Sequence, residues 1–479
     1  MTVELEALRF RRLLQPVEML VEVGDPLVGV EAHRFFKIGH RRFIARRIAR
    51  LQCCSYTGDM KTGILLAATI ALMAAPASAQ TIDPKLKARI DRILKATPLI
   101  DGHNDIAEQL AENYKRDISG LASNTDQRQP NPLMTDMARL HAGRVGGQFW
   151  SVYINGALTG DAAIRETIEQ IDIVRRMIEA YPNDLELART ADDVVRIHKA
   201  GKVASMMGVE GGRQIGGSLA ALRQYYILGA RYMTLTHNQT TEWADSATDD
   251  PKYGGLSPFG VTVVHEMNRI GMLVDLSHVA PTTMKAAIAA SKAPVIFSHS
   301  SARALVDHPR NVPDDVLALL PANGGVVMVN FVPDFISNDV WHWSAEKSAE
   351  EARLKSFHRN SKAEVEAGLK AWEAAHPRPP VTVTTVADNI DQVVKIAGHD
   401  HVGIGGDLDG IPYTPQGLEG VQDYPNLFAE LIRRGWSDQD LSKLAGGNVL
   451  RVLRQAESVS ASMKNEPAAL SEVDQAPAQ

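Results

Sequence analysis

Eight short apolar segments, spaced along the chain with helical patterns between them, constrain this sequence more than any other feature. They are Leu99–Gly102, Phe149–Ile154, Ala204–Val209, Tyr232–Thr236, Met272–Leu276, Val295–Ser298, Val326–Asn330 and Val402–Gly405. They are apolar rather than alternating, as strands buried on both faces are. Helical patterns fall at Ile164–Ala180, Leu219–Leu228, Pro258–Ile270, Pro281–Ala290 and Val386–Ala397. Alternation of this kind gives βαβ units and a parallel sheet. Eight units predict an α/β fold of the (β/α)8 TIM-barrel type rather than an open sheet. One connection is long. After the seventh strand, a Trp-, Glu- and Lys-rich stretch runs from Trp341 to Trp372 and ends in Pro377-Arg-Pro-Pro380. It reads as a helical insertion, residues 341–380, serving either as a wall of the active face or as a packing appendage.

Polar residues close these segments. His103 and Asp105 follow Pro98-Leu-Ile-Asp-Gly102, and Glu210 closes Ser205-Met-Met-Gly-Val-Glu. His237, His278, His299 and Asp407 end the fourth, fifth, sixth and eighth segments in the same way. A parallel barrel gathers the C-terminal ends of its strands on one face, so these side chains are expected to meet. A single His-x-Asp is a weak signal, and a lone His at a strand end is more often a hydrogen-bonded structural residue than a ligand. Recurrence at several strand ends changes the argument. His, Asp and Glu without Cys form a nitrogen/oxygen set suited to catalytic zinc and related divalent ions. Even three His and two carboxylates of this set exceed one tetrahedral site and suit two metals sharing a bridging carboxylate.

The composition excludes other classes. Hydrophobic residues make up 44% of the 479, enough for a sizeable core, and a net charge of −6 gives no support for nucleic-acid binding. Met60-Lys61, the apolar run Gly63–Ala75 and Ala77-Ser-Ala79 read as a signal peptide over residues 60–79, with Gln80 as the first mature residue. The apolar run is shorter than the ~20 residues that span a bilayer. Export to the periplasm or medium, without a membrane anchor in the mature form, is the expectation. Residues 1–59, Arg-rich and free of acid from Arg34 to Arg50, read as an upstream extension outside the native protein; an organelle transit segment is the rival reading. Both cysteines, Cys53 and Cys54, lie there, so the mature chain is expected to have neither disulfide nor thiolate ligand. The expected catalytic domain is 80–457, and 458–479 reads as a disordered tail.

Several motifs, in order, resemble the membrane (renal-type) dipeptidase family. They are Asp101-Gly-His-Asn-Asp105, Gly208-Val-Glu-Gly-Gly212, Tyr232-Met-Thr-Leu-Thr-His237, Trp243-Ala-Asp245, Leu256-Ser-Pro-Phe-Gly260, Val274-Asp-Leu-Ser-His278, Ser298-His-Ser-Ser301, Pro309-Arg-Asn-Val-Pro313 and Gly405-Gly-Asp-Leu-Asp-Gly410. The resemblance covers roughly residues 85–455. It implies a (β/α)8 barrel with two Zn²⁺ ions that hydrolyses dipeptides through a metal-bridging hydroxide. Carried over by motif, His103 and Asp105 hold the first zinc, His278 and His299 the second, and Glu210 bridges them. His237 helps bind the carbonyl oxygen, Asp407 transfers protons, and Arg310 grips the substrate's C-terminal carboxylate. Asp409 is the better candidate for a structural turn acid. A homodimer is a further expectation of the resemblance. Two departures bear on substrate preference: Ala107-Glu108 stands where relatives often have Pro-Trp, and Arg213 where they often have His. A related hydrolase of N-acyl amino acids would use the same metals and nucleophile. A non-catalytic binding protein would be expected to have lost Asp407 or a ligand, and none is lost.

Overall fold

The computed structural model describes residues 82–470. The upstream extension, the signal peptide with its cleavage site, Cys53, Cys54 and residues 471–479 lie outside the described residues.

Eight parallel strands form a closed barrel: β1 (Leu99–Asn104), β2 (Val145–Tyr153), β3 (Val203–Glu210), β4 (Ala230–Thr234), β5 (Leu273–Asp275), β6 (Ile296–Phe297), β7 (Val326–Val329) and β8 (Val402–Ile404). Sequential neighbours pair throughout, and Asp101 of β1 pairs with Ile404 of β8 to close the ring. All eight expected strands are present, so the chain is a (β/α)8 barrel. A ninth strand, Leu185–Leu187, was not expected; it pairs with Val203–Ser205 at the start of β3, outside the ring. Three residues of mixed polarity carry too little pattern to be seen alone.

Alternate strand residues face two cores. Ile100, Phe149, Met206, Tyr232, Leu273, Ile296, Val326 and Met328 form one core, which the helix Asn448–Ser462 joins through Val449, Val452 and Leu453. Leu99, Trp150, Met207, Met233, Val274, Phe297, Val327 and Ile404 face the surrounding helices. The site therefore rests on a packed floor rather than a pore.

The insertion after β7 is helical as expected: Asn338–Phe357 and Lys362–Ala375 form a hairpin before the crossover helix Val383–Ala397. Its own small core pairs Trp343 with Trp372, ring centroids 5.7 Å apart, and the Trp343 Nε1–H donates to the His376 carbonyl at 2.7 Å. At the C-terminal end, order extends past the expected boundary. The helix continues to Ser462, five residues beyond 457, and the Ala469 carbonyl accepts from Arg223 Nη1 at 3.0 Å. The apolar positions of that helix join the buried cluster that the barrel strands form, which its Ser- and Ala-rich end did not reveal.

Candidate metal centre and substrate pocket

The strand ends deliver the expected residues to one place. His103 lies within β1, Asp105 one residue past it, and Glu210 is the last residue of β3. His237, His278 and His299 sit on the loops that leave β4, β5 and β6, and Asp407 on the loop that leaves β8. The ladders stop two or three residues short of these side chains, because the strands splay at the mouth. His278, Asp407 and Asp409 adopt left-handed backbone, with φ of 67°, 59° and 68°. Such a conformation costs a non-glycine residue ~1–2 kcal/mol and persists where surrounding structure holds it.

Glu210 is the centre of the cluster. Its Oε1 lies 3.0 Å from His278 Nε2 and 3.4 Å from His299 Nε2, and its Oε2 lies 3.4 Å from His103 Nε2. His103 Nε2 is also 3.2 Å from Asp105 Oδ1. His237 Nε2 is more distant, 3.8 Å from Glu210 Oε1, and its ring lies 4.2 Å from that of His278, tilted by 37°. Potential ligand atoms of His103, Asp105 and Asp407 also lie within 4.8 Å of one another. His103, Asp105, Glu210, His278 and His299 are buried, and His237 and Asp407 are half-buried.

Hydrogen bonds behind the rings fix which nitrogen points inward. The Tyr232 hydroxyl donates to the Gly102 carbonyl at 3.1 Å, so it accepts from His103 Nδ1–H at 2.9 Å. Ser298 Oγ donates to Asp275 at 2.7 Å, so it accepts from His299 Nδ1–H at 2.9 Å. Asn238 Oδ1, oriented as an acceptor, takes His278 Nδ1–H at 3.3 Å. In the neutral ring each Nε2 then carries a lone pair into the cluster, and those of His278 and His299 face each other at 2.9 Å. Lone pairs and carboxylates converging in this way are what a shared divalent cation relieves, and Asp105 Oδ2 is buried with no protein partner. The donor set fits metal ions.

Burial and neighbouring charge act oppositely on the members. Burial lowers His103, but the charges of Asp105 and Glu210 outweigh it and hold it well above the usual range. Burial, reinforced by the Arg310 and His103 charges, holds His278 and His299 well below it. Burial and the Asp105 charge push Asp407 well up, while His103 outweighs burial to hold Glu210 well down.

Some residues matter that the strand-end pattern did not single out. Asp101 is fully buried and accepts from the backbone N–H of His103 at 2.7 Å and of Gly406 at 3.1 Å, joining β1 to the loop after β8. Asp275 accepts from Ser298 N–H at 2.8 Å and so sets the start of the His299 loop. Both stand inside the motifs already quoted, but their roles depend on contacts between strands. Gly208 makes room for Tyr232: a Cβ there would lie 1.9 Å from the tyrosine ring.

A pocket of about 700 Å³ opens above the cluster. Arg310 lines it, nearly buried. One guanidinium nitrogen lies 3.4 Å from the His299 carbonyl, and Nη1 has no protein partner. Val332 and Phe335, which precede the insertion, line the pocket; no residue of its two helices does. Of the two departures, Arg213 does not line it either. Arg213 instead donates to the carbonyls of Gly156 at 2.7 Å and Thr240 at 2.9 Å, tying two loops together. Glu108 does line it, and burial, with the charges of Asp105 and Glu210, pushes its carboxyl up to about 9. Asp409 accepts from Met134 N–H at 2.7 Å, 275 positions away in sequence, so its role is structural but it ties two loops together rather than serving its own turn as expected.

Comparison with known proteins follows the same lines. The family model described as membrane dipeptidase (peptidase family M19) matches residues 87–467. Dipeptidase verJ of Clonostachys rogersoniana is 41% identical over 384 residues, covering 78% of this chain and 88% of its own. Dipeptidase 3 of Rattus norvegicus is 41% identical over 382 residues, covering 79% and 69%. In fold, the chain is similar to the probable dipeptidase PvdM of Pseudomonas aeruginosa (TM-score 0.66, 24% identity, 78% of this chain and 99% of that one). It is similar also to a Rhodobacter sphaeroides metallopeptidase solved with a phosphinate mimic of L-Ala-D-Ala (TM-score 0.62, 23% identity, 75% and 99%).

Proposed function

This chain belongs to the membrane dipeptidase family, peptidase family M19, and from that premise we propose that it is an exported enzyme hydrolysing the peptide bond of dipeptides with two zinc ions. The relatives above are named dipeptidases, and the chain spans most of their length. The observation that carries the reading is Glu210, with one oxygen facing His103 and the other facing His278 and His299. A carboxylate so placed suits a bridge between two ions.

His103 and Asp105 would hold one ion, His278 and His299 the other, and Glu210 both. When bound, the ions would supply Lewis acidity and lower the pKa of a bound water to ~7, so that it could give up a proton near neutral pH. The protein supplies the rest. Arg310 pairs its free guanidinium nitrogen with the C-terminal carboxylate of the substrate and aligns the peptide. His237, set back from Glu210, turns an imidazole N–H toward the carbonyl oxygen as negative charge develops there. Asp407 accepts the proton of the attacking water and passes it to the leaving amine. A site that recognises both ends of a short substrate favours dipeptides over longer chains.

The test is a hydrolysis panel of L-L, L-D and N-acylated dipeptides with residues 80–479, together with elemental analysis. Hydrolysis of free dipeptides with about two zinc ions per chain is expected. Full activity with one tightly bound metal would sink the binuclear reading, and cleavage of N-acyl amino acids alone would sink the dipeptide reading. N-terminal sequencing of exported protein should begin at Gln80; Met1 or Thr2 would remove the export argument.

A further inference from the structure

Glu108 is the pocket acid that the chemistry above leaves unused. Five carboxylates line the pocket: Asp105, Glu108, Glu210, Asp249 and Asp407. Three belong to the cluster. Asp249 spends both oxygens on its own loop, accepting from Thr240 N–H at 2.8 Å and from Asp250 N–H at 2.9 Å. Glu108 has neither a hydrogen-bond nor an ion-pair partner among the described residues, and its neighbours Asp105, Glu210 and Glu112 repel it. Glu112 stands one turn further along the same helix, Ile106–Asn113, and like charges at that spacing weaken a helix. An acid in a first helical turn is ordinarily favoured by the helix dipole. That effect does not account for turning the carboxylate into a half-buried pocket among other acids.

Its position relative to Arg310 is informative. The Glu108 helix follows β1, and the Arg310 loop follows β6. The ring order β1–β8–β7–β6 sets them on well-separated sides of the mouth, with the Glu210 cluster between. A dipeptide with its carboxylate on Arg310 and its scissile bond over the cluster would extend its first residue toward Glu108. Tyr153 stands on the same wall, its ring centroid 4.7 Å from that of His237. The Glu108 charge, after burial, helps push the Tyr153 hydroxyl up to about 12, which reflects their proximity. With no cation beside it, burial and repulsion hold this carboxyl neutral; an arriving cation restores its charge, and a carboxylate beside an aromatic ring is a cation-binding pair.

Resting on the dipeptidase reading, we propose that Glu108 sets specificity by binding the cation of the substrate's amino-terminal residue, an ammonium or guanidinium group. That cation is either the α-amine or a Lys or Arg side chain. The test compares wild type with Glu108→Gln and Glu108→Lys on Lys-Ala, Leu-Ala, Glu-Ala and N-acetyl-Leu-Ala, the last scored as substrate or competitive inhibitor. Losing a charge-assisted hydrogen bond should cost about tenfold or more, chiefly in KM. A fall in the Lys-Ala to Leu-Ala preference in Glu108→Gln identifies the side chain, with Glu108→Lys shifting preference toward Glu-Ala. A fall in the Leu-Ala to N-acetyl-Leu-Ala preference identifies the α-amine. If both ratios stay within twofold of wild type, the proposal is overturned. If wild type cleaves no dipeptide at all, the underlying reading fails instead.

Discussion

At the scale of single residues, roles divide by what each side chain lacks. Arg310 lacks a partner for Nη1 inside a buried site. Arg310→Ala should therefore raise KM more than it lowers kcat, and a dipeptide amidated at its C-terminus should lose much of its disadvantage. Undiminished discrimination against the amide in steady-state assays would remove Arg310 as the carboxylate anchor. Asp407→Asn keeps the shape of the group but cannot take a proton. It should lower kcat by ~10² or more while elemental analysis still finds the wild-type metal content. Asp409 carries a pH prediction. Burial pushes it from an ordinary 3.8 up to about 6. A carboxyl raised on folding favours the folded state at low pH, and that contribution is lost as pH rises from about 4 to about 6. Asp409→Asn keeps an oxygen for the Met134 N–H and tolerates the left-handed backbone, so denaturant melts should show it gaining on wild type across that window. The gain reaches up to about 3 kcal/mol above it and vanishes below pH 4. A flat difference between pH 4 and 7 would contradict this.

At the scale of elements, what was legible depended on local punctuation. The helices Leu219–Leu228 and Pro258–Ile270 start and stop where expected, because Ser218 and Ser257 cap them and Gly229 and Gly271 end them. The strands were found, but with blurred ends. β6 is only Ile296–Phe297, and β4 begins and ends two residues before its apolar stretch. Ladder ends follow from where neighbouring strands diverge, which no single segment encodes. The candidate site was legible because its residues recur at strand ends. The left-handed turn at His278 and the orienting roles of Asp101 and Asp275 were not, since each is settled by a contact across strands. Arg213 shows the same limit: its sequence position suggested the substrate pocket, yet its side chain joins the Gly156 and Thr240 loops. Arg213→Ala should lower Tm by a few degrees, as two charge-assisted hydrogen bonds worth ~1–3 kcal/mol each are lost, while the ratio of kcat/KM between two dipeptides is preserved. A changed ratio with unchanged Tm would reverse that assignment.

At the scale of the whole molecule, the cluster loads repulsion onto the barrel mouth that cations remove. Any ion bound to the folded chain alone stabilises it by mass action, by ~2.7 kcal/mol at a hundredfold excess over Kd. Chelation should therefore lower Tm, and returning zinc should raise it in a concentration-dependent way. A Tm indifferent to chelation, measured calorimetrically on protein shown to be metal-free, would mean that the fold does not depend on the centre.

The seam where the ring closes has one further consequence. Asp105 N–H bonds to the Leu408 carbonyl at 3.0 Å, Asp407 N–H to the His103 carbonyl at 3.2 Å, and Gly406 N–H reaches the Asp101 carboxylate across 305 positions of sequence. The bonds that join first strand to last flank the residues proposed to hold metal and move protons. A chain cut short after its seventh strand would hold all five residues proposed to bind metal and no seam to set them. Hydrolytic competence would then depend on the segment around Asp407, so that a truncated chain is an inactive one.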